Sequence, residues 1–115
     1  MRKQVGQFGE DLATRYLKQK GYRVLARNWR ATGVEVDIIA SEGEMTVFVE
    51  VKTRRTSSAG NPEDSVTSLK RHHLERAAHA WLTENSHGDV PWRVDVVAIR
   101  LFEDGEPEIV HFEGI

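Results

Sequence analysis

Apolar side chains recur every three or four residues near the start of the chain. Val5, Phe8, Leu12, Ala13, Tyr16 and Leu17 fall on one stripe at about 100° per residue. This predicts a helix over residues 5–20, ended by Gly21. The period then changes. Residues 23–29, 34–40 and 45–52 are short runs rich in β-branched and aromatic residues, which predicts three strands. Ser41-Glu42-Gly43-Glu44 reads as a hairpin turn between the second and third. Residues 53–65 are polar, contain Gly60 and Pro62, and predict a loop. A second helix is expected over residues 66–84, capped by Asp64, Ser65 or Thr67, with Val66, Leu69, His73, Leu74, Ala77 and Trp81 as its stripe. A connector at 85–91 leads to an apolar strand at 92–102, a turn at 103–106 and an edge strand at 108–112. The order α-β-β-β-α-β-β predicts a small α/β domain, a mixed sheet flanked by helices, occupying residues 1–115 as one unit.

Charge breaks this pattern where burial is expected. Glu35 and Asp37 interrupt the second strand, and Glu50 and Lys52 the third. Side chains alternate along a strand, so Glu50 and Lys52 share a face, as do Glu35, Asp37 and Ile39. A four-residue turn would pair Ala40 with Met45 and set Asp37 opposite Phe48. Glu50 then becomes the diagonal neighbour of Asp37, about 7–8 Å away at Cα, and Glu35 lies opposite Glu50. Glu10 borders the first helical stripe, and Lys70 sits in the middle of the second. Buried carboxylates are unfavourable unless something pairs with them, and a divalent cation can serve several at once.

Asp and Glu oxygens suit Mg²⁺, which takes one or two carboxylates, waters and a substrate phosphate. A neighbouring lysine can orient the attacking water or stabilise charge on the phosphate. Asp37, Glu50 and Lys52, with Glu10 at the rim, therefore have the composition of a phosphodiester hydrolase. Structural alternatives remain at this level. Glu50 and Lys52 can form a simple ion pair, and Asp37 can partner Arg93 or Lys70. Glu35 can pair with a basic residue, and Glu10 can favour a helix dipole. Arg93 and Asp95 alternate onto one face and are expected to pair as structure. His72 and His79 share an outer face but lack the i, i+4 spacing of a zinc pair. Trp29, Trp81 and Trp92 can stack on bases, although core packing is the expectation for Trp81.

Overall charge is −2, yet residues 1–30 carry eight Lys/Arg against two acids, and residues 101–115 carry five acids and no base. The basic amino-terminal third, including Arg30, is compatible with a phosphate-facing surface, and Arg54 and Arg55 can clamp a nucleic-acid backbone. There are no cysteines, which excludes disulfides, thiolate metal sites and cysteine nucleophiles. No apolar stretch reaches membrane-spanning length, and a cytoplasmic location is expected.

Several segments together resemble a known family. They are Gly6-Gln7-Phe8-Gly9-Glu10, Gly21-Tyr22 with Arg27-Asn28, Glu35-Val36-Asp37-Ile38-Ile39-Ala40, and Val47-Phe48-Val49-Glu50-Val51-Lys52-Thr53-Arg54. Val66 and Lys70 continue the pattern, followed by Arg93-Val94-Asp95-Val96-Val97. An Asp followed by Glu-x-Lys on the next strand, after a helix bearing Glu, resembles the PD-(D/E)xK nuclease superfamily. The nearer likeness is to the YraN-type uncharacterised bacterial proteins, whose sheet is similar to that of Holliday-junction resolvases. The resemblance implies a restriction-endonuclease-like three-layer core. It implies Asp37 and Glu50 as ligands of Mg²⁺ or Mn²⁺, Glu10 as an accessory ligand, and Lys52 as the catalytic lysine. Lys70 would stand near the scissile phosphate. One departure is Val34, where that family usually has Gly before the residue matching Glu35. The leading expectation is a metal-dependent DNA endonuclease, with branched or damaged DNA as candidate substrates and DNA favoured over RNA. A non-catalytic nucleic-acid-binding protein and a protein-interaction module are the alternatives. A homodimer is implied by analogy alone.

Overall fold

The computed structural model describes residues 2–31, 33–55, 67–85 and 89–115, with side chains from residue 6 onward. Its elements are α1 (Arg2–Gln19), β1 (Arg23–Ala31), β2 (Val34–Glu42), β3 (Met45–Arg55), α2 (Ser68–Asn85), β4 (Trp92–Leu101) and β5 (Glu108–Phe112). The strands form one mixed sheet in the order β1-β2-β3-β4-β5. Among the described residues β3 and β4 pair in parallel, and β1–β2, β2–β3 and β4–β5 pair antiparallel. A parallel pair needs a long crossover, and α2 lies on it. The expected α/β order is therefore the observed one.

Each helix covers one face of the sheet. Ala13 and Leu17 of α1 are buried on Ile38, Ala40, Val47, Val49, Val97 and Ile99. Leu74, Ala77 and Ala78 of α2 are buried on Val36, Ile39, Phe48 and Val94. Trp29, Trp81 and Trp92 pack against this second cluster. The Trp29 and Trp81 rings meet edge-on at 5.5 Å. Among the described residues, no helix is long and apolar enough to cross a membrane.

Both helix ends follow from local chemistry. Gly21 has φ 96°. Its N–H donates to the Lys18 carbonyl, and the Tyr22 N–H donates to that of Leu17, both at 3.0 Å. This paired C-terminal closure is one that glycine permits. Thr67 caps α2, its Oγ1 accepting the Lys70 N–H at 3.1 Å. Asp64, Ser65 and Val66, also expected at this end, lie outside the described residues. Leu69 was expected in the stripe but is 65% exposed, because the buried face of α2 begins one turn later, at Leu74.

Three expectations about the strands need correction. The hairpin turn is Gly43-Glu44, with Gly43 at φ 60°, so Ser41 and Glu42 belong to β2. Glu42 pairs with Met45 and Ala40 with Val47, a register two residues from the expected one. The change is even, so Glu50 and Lys52 keep their face. Finally, Thr53, Arg54 and Arg55 are not loop. They extend β3 and pair with Ile99, Arg100 and Leu101 of β4. Residues 56–65 of the expected loop lie outside the described residues.

Phe8, expected in the α1 stripe, is 49% exposed. The helix instead presents Gly9 to the sheet there. A Cβ on Gly9 would collide with Thr53 Oγ1, so the α1 backbone approaches β3 closely. Phe8, about 100° around the helix, is turned away. Gly9→Ala should therefore destabilise the protein by about 1–3 kcal/mol, measured by urea unfolding. Thr53→Ala in the same chain should recover part of the loss, and an unchanged midpoint for Gly9→Ala would contradict this packing.

Candidate active site

The site forms where β2 leaves β3. These strands pair only from Ile38↔Val49 to Glu42↔Met45. Beyond that point β3 stays with β4, and β2 with β1. The alternation of β2 also changes phase. Val34 and Val36 belong to the α2-side cluster, whereas Ile38 and Ala40 belong to the α1-side cluster. Asp37 sits at the inversion. Its Oδ2 accepts the Val51 N–H at 2.8 Å, so a carboxylate occupies the rung that a β2 carbonyl would otherwise fill. Glu35 lies on the other side of the inversion and does not share the Ile39 face. It accepts Arg30 Nε at 2.8 Å, away from Glu50.

Glu50 follows Phe48 onto the α2 side and is 5% exposed. Two lysines neutralise it. Lys52 Nζ, two residues along the strand, lies 3.3 Å from Glu50 Oε2. Lys70 Nζ, from the first turn of α2, lies 3.5 Å from the same oxygen. Lys70 thus reaches an acid rather than open solvent, which accounts for a lysine on an apolar stripe.

Glu10 arrives from the α1 layer and is 8% exposed. Its Oε1 accepts Arg27 Nε and Asn28 Nδ2, each at 2.9 Å. Asn28 has φ 52°, a left-handed conformation that asparagine tolerates better than most residues. This twist lets Arg27 and Asn28 both reach α1, while Ala26 and Trp29 turn to the α2 side. Arg27-Asn28 was visible as part of the family pattern, but no role for it was legible in the sequence. Arg30 is exposed on the outer strand, and Arg54 and Arg55 are exposed at the end of β3.

The acids interact through the opening. Burial, and then the charge of Glu50, push the Asp37 carboxyl up to about 7, against the lowering effect of the Val51 N–H. Glu10 and Glu35 add to the rise. Asp37, Glu50 and Glu10 each use one oxygen on the protein donors just described. Among the described residues, no three Asp, Glu or His side chains converge as a ready-made ion cage. The chemistry available is that of two carboxylates, with a third near, beside two lysines.

A second polar cluster lies towards the opposite end of α1. Asp95 is fully buried. It accepts Arg93 Nε at 2.9 Å, the Gly114 N–H at 2.9 Å and His111 Nε2 at 2.7 Å. Lys20 Nζ lies 3.0 Å from His111 Nδ1. An ammonium only donates, so the ring hydrogen sits on Nε2 and points at Asp95. Arg93 Nη2 also donates to Tyr22 Oη at 2.8 Å. Arg93 is thus engaged by Asp95 and does not partner Asp37.

The sequence pattern of the uncharacterised protein family UPF0102 matches residues 9–99, which contain Glu10, Asp37, Glu50, Lys52 and Lys70. The chain is 48% identical to a UPF0102 protein of Geobacter sulfurreducens over 107 residues, 93% of this chain and 84% of that protein. It is 42% identical over 114 residues to one from Mycolicibacterium vanbaalenii, covering 99% of this chain and 94% of the relative. For one from Rhodococcus opacus the identity is 46% over 107 residues, 93% of this chain and 91% of the relative. This chain belongs to the uncharacterised protein family UPF0102.

Proposed function

We propose that this protein is a Mg²⁺- or Mn²⁺-dependent endonuclease that hydrolyses DNA phosphodiesters, with branched or damaged DNA as candidate substrates. The observation that carries this reading is the half-buried Asp37, lodged where β2 and β3 part and raised by desolvation and then by the charge of Glu50. Glu50 is met by two lysines, but Asp37 meets only a neutral N–H among the described residues, so a cation at Asp37 would relieve the repulsion that raises it. Two carboxylates without a full cage suit an ion that completes its shell with water and phosphate oxygens. They suit zinc poorly, since it favours three or four protein ligands.

Asp37 and Glu50 would hold the cation, which when bound polarises the phosphate and acidifies a water. Glu10, fixed by Arg27 and Asn28, would act through a water. Lys52 is 22% exposed and tied to the strand that carries Glu50. It would orient the attacking water and meet the charge that develops on the phosphate oxygens. Attack of the water oxygen on phosphorus, with loss of one water proton to solvent, would break the bond to one ester oxygen, which leaves with a proton from solvent. The basic residues of the first third, with Arg54 and Arg55, would bind the flanking backbone.

The test is Mn²⁺-dependent cleavage of linear, flapped and four-way DNA. Glu50→Ala and Lys52→Ala should each reduce cleavage by about a hundredfold or more while remaining folded, and EDTA should abolish it. Absence of metal-dependent cutting on every substrate would overturn the hydrolase reading. The neutralisation of Glu50 by two lysines favours one alternative, a DNA-binding protein that does not cut. That protein would shift DNA equally well in EDTA, with a steep salt dependence.

A further inference from the structure

We infer that Lys70 is a displaceable internal counter-ion, neutralising Glu50 in the metal-free protein and released when a divalent cation takes its place. This rests on the reading of the site as a divalent-cation nuclease centre. Glu50 is buried, so its charge needs a positive partner in every state of the protein. Lys52 and Lys70 supply that partner, both at Oε2. A cation bound beside them would face two ammonium groups at close range. One of the two must give way.

The structure indicates which. Lys52 stands on β3 within continuous pairing to β4, where it lies opposite Ala98, and its side chain is 22% exposed. Lys70 stands in the first turn of α2, and its side chain is 39% exposed, with solvent to move into. Its place on the helix is also unusual. Thr67 is the cap and Lys70 the third helical residue, joined by the Oγ1 to N–H bond. Glu or Gln is favoured at that position, where it answers the cap and the positive helix end. A lysine there is opposed by the helix dipole, and the first turn of α2 contains no acid. Glu50 is what compensates it. Removing that compensation favours departure of Lys70 towards an incoming anion. Metal and phosphate would then arrive as coupled ligands, each easing the binding of the other.

The experiment measures Mn²⁺ affinity by calorimetry for the wild type, Lys70→Gln and Asp37→Asn. It also measures acylation rates of individual lysines in the wild type, with and without Mn²⁺, by mass spectrometry. Lys70→Gln should bind Mn²⁺ about fivefold more tightly, the scale of a partly exposed ion pair. Addition of Mn²⁺ should speed acylation of Lys70 more than of Lys52. If Mn²⁺ binds in a manner weakened by Asp37→Asn, yet Lys70→Gln binds no tighter and Lys70 labelling is unchanged, the counter-ion role is wrong and the metal site stands. If the wild type binds no Mn²⁺, or Asp37→Asn binds it equally, the metal site itself is wrong. The labelling measurement decides alone should Lys70→Gln fail to fold.

Discussion

Asp37→Asn should make the metal-free protein more stable above pH 7, by at most about 4 kcal/mol, and should abolish metal-dependent cleavage. In the native state burial and the Glu50 charge hold Asp37 at about 7, against an ordinary 3.8. The folded protein therefore keeps a proton that the unfolded chain gives up above about pH 4. Stability falls wherever the native state binds more protons than the unfolded one. The wild type loses stability from this group as pH rises from about 4 to 7, and the deficit is complete beyond that. Asparagine removes the charge but keeps an oxygen for the Val51 N–H. Its amide can also donate towards Glu50. Urea titrations in EDTA at pH 4.5 and pH 8 should show about 1 kcal/mol of this difference at the lower pH and nearly all of it at the higher. A difference that does not grow with pH would contradict the electrostatic account. Mn²⁺ should narrow the gap at pH 8 by stabilising the wild type alone.

The opposite response is expected at the other end of α1. Asp95→Ala should cost about 3–5 kcal/mol, enough to unfold much of a domain this size at moderate temperature. Burial would raise the Asp95 carboxyl, but the donors His111, Arg93 and the Gly114 N–H outweigh it and hold the carboxyl below its ordinary value. Removing the carboxylate leaves several donors facing a fully buried gap. Arg93 is held well above its usual range, chiefly by its hydrogen bond to Asp95. Glu42 and Glu113, at 3.4 and 3.5 Å, are its other anionic neighbours among the described residues. The double variant Arg93→Met/Asp95→Leu should be less harmful than Asp95→Ala, because it removes both charges together. Equal losses for single and double variants, read by thermal or urea unfolding, would show that this network is not the source of the effect.

The regular elements were legible because their signals are local. The 3.6-residue stripe around Ala13 and Leu17, and the β-branched runs at 34–40 and 45–52, each report a buried face without knowledge of the rest of the chain. The conflict between those runs and Asp37, Glu50 and Lys52 was legible for the same reason. Other features depend on contacts distant in sequence. The two-residue register change follows from Gly43-Glu44 alone forming the turn, although Ser41-Glu42-Gly43-Glu44 reads equally well as four turn residues. The phase inversion at Asp37 cannot be seen in strict alternation, which put Glu35 and Asp37 on one face. The place of Gly9 against Thr53 depends on how α1 crosses the sheet. Arg93 with Asp95 was legible from their spacing, but His111, Lys20 and Gly114 were not, since they join through β4–β5 pairing and the end of α1. An isolated histidine between Val110 and Phe112 on an edge strand was the one available hint.

On the nuclease reading Asp37 has two occupations, and this bears on how such an activity would be lost over time in chains of this type. Its oxygen completes the backbone of β3 at Val51 whether or not any reaction takes place. A descendant that gave up its chemistry would still need an acceptor at that position, and aspartate or asparagine there would say little about whether it still cuts. Glu50 and Lys52 supply no comparable rung. Decay of activity would leave its first traces at those two sites.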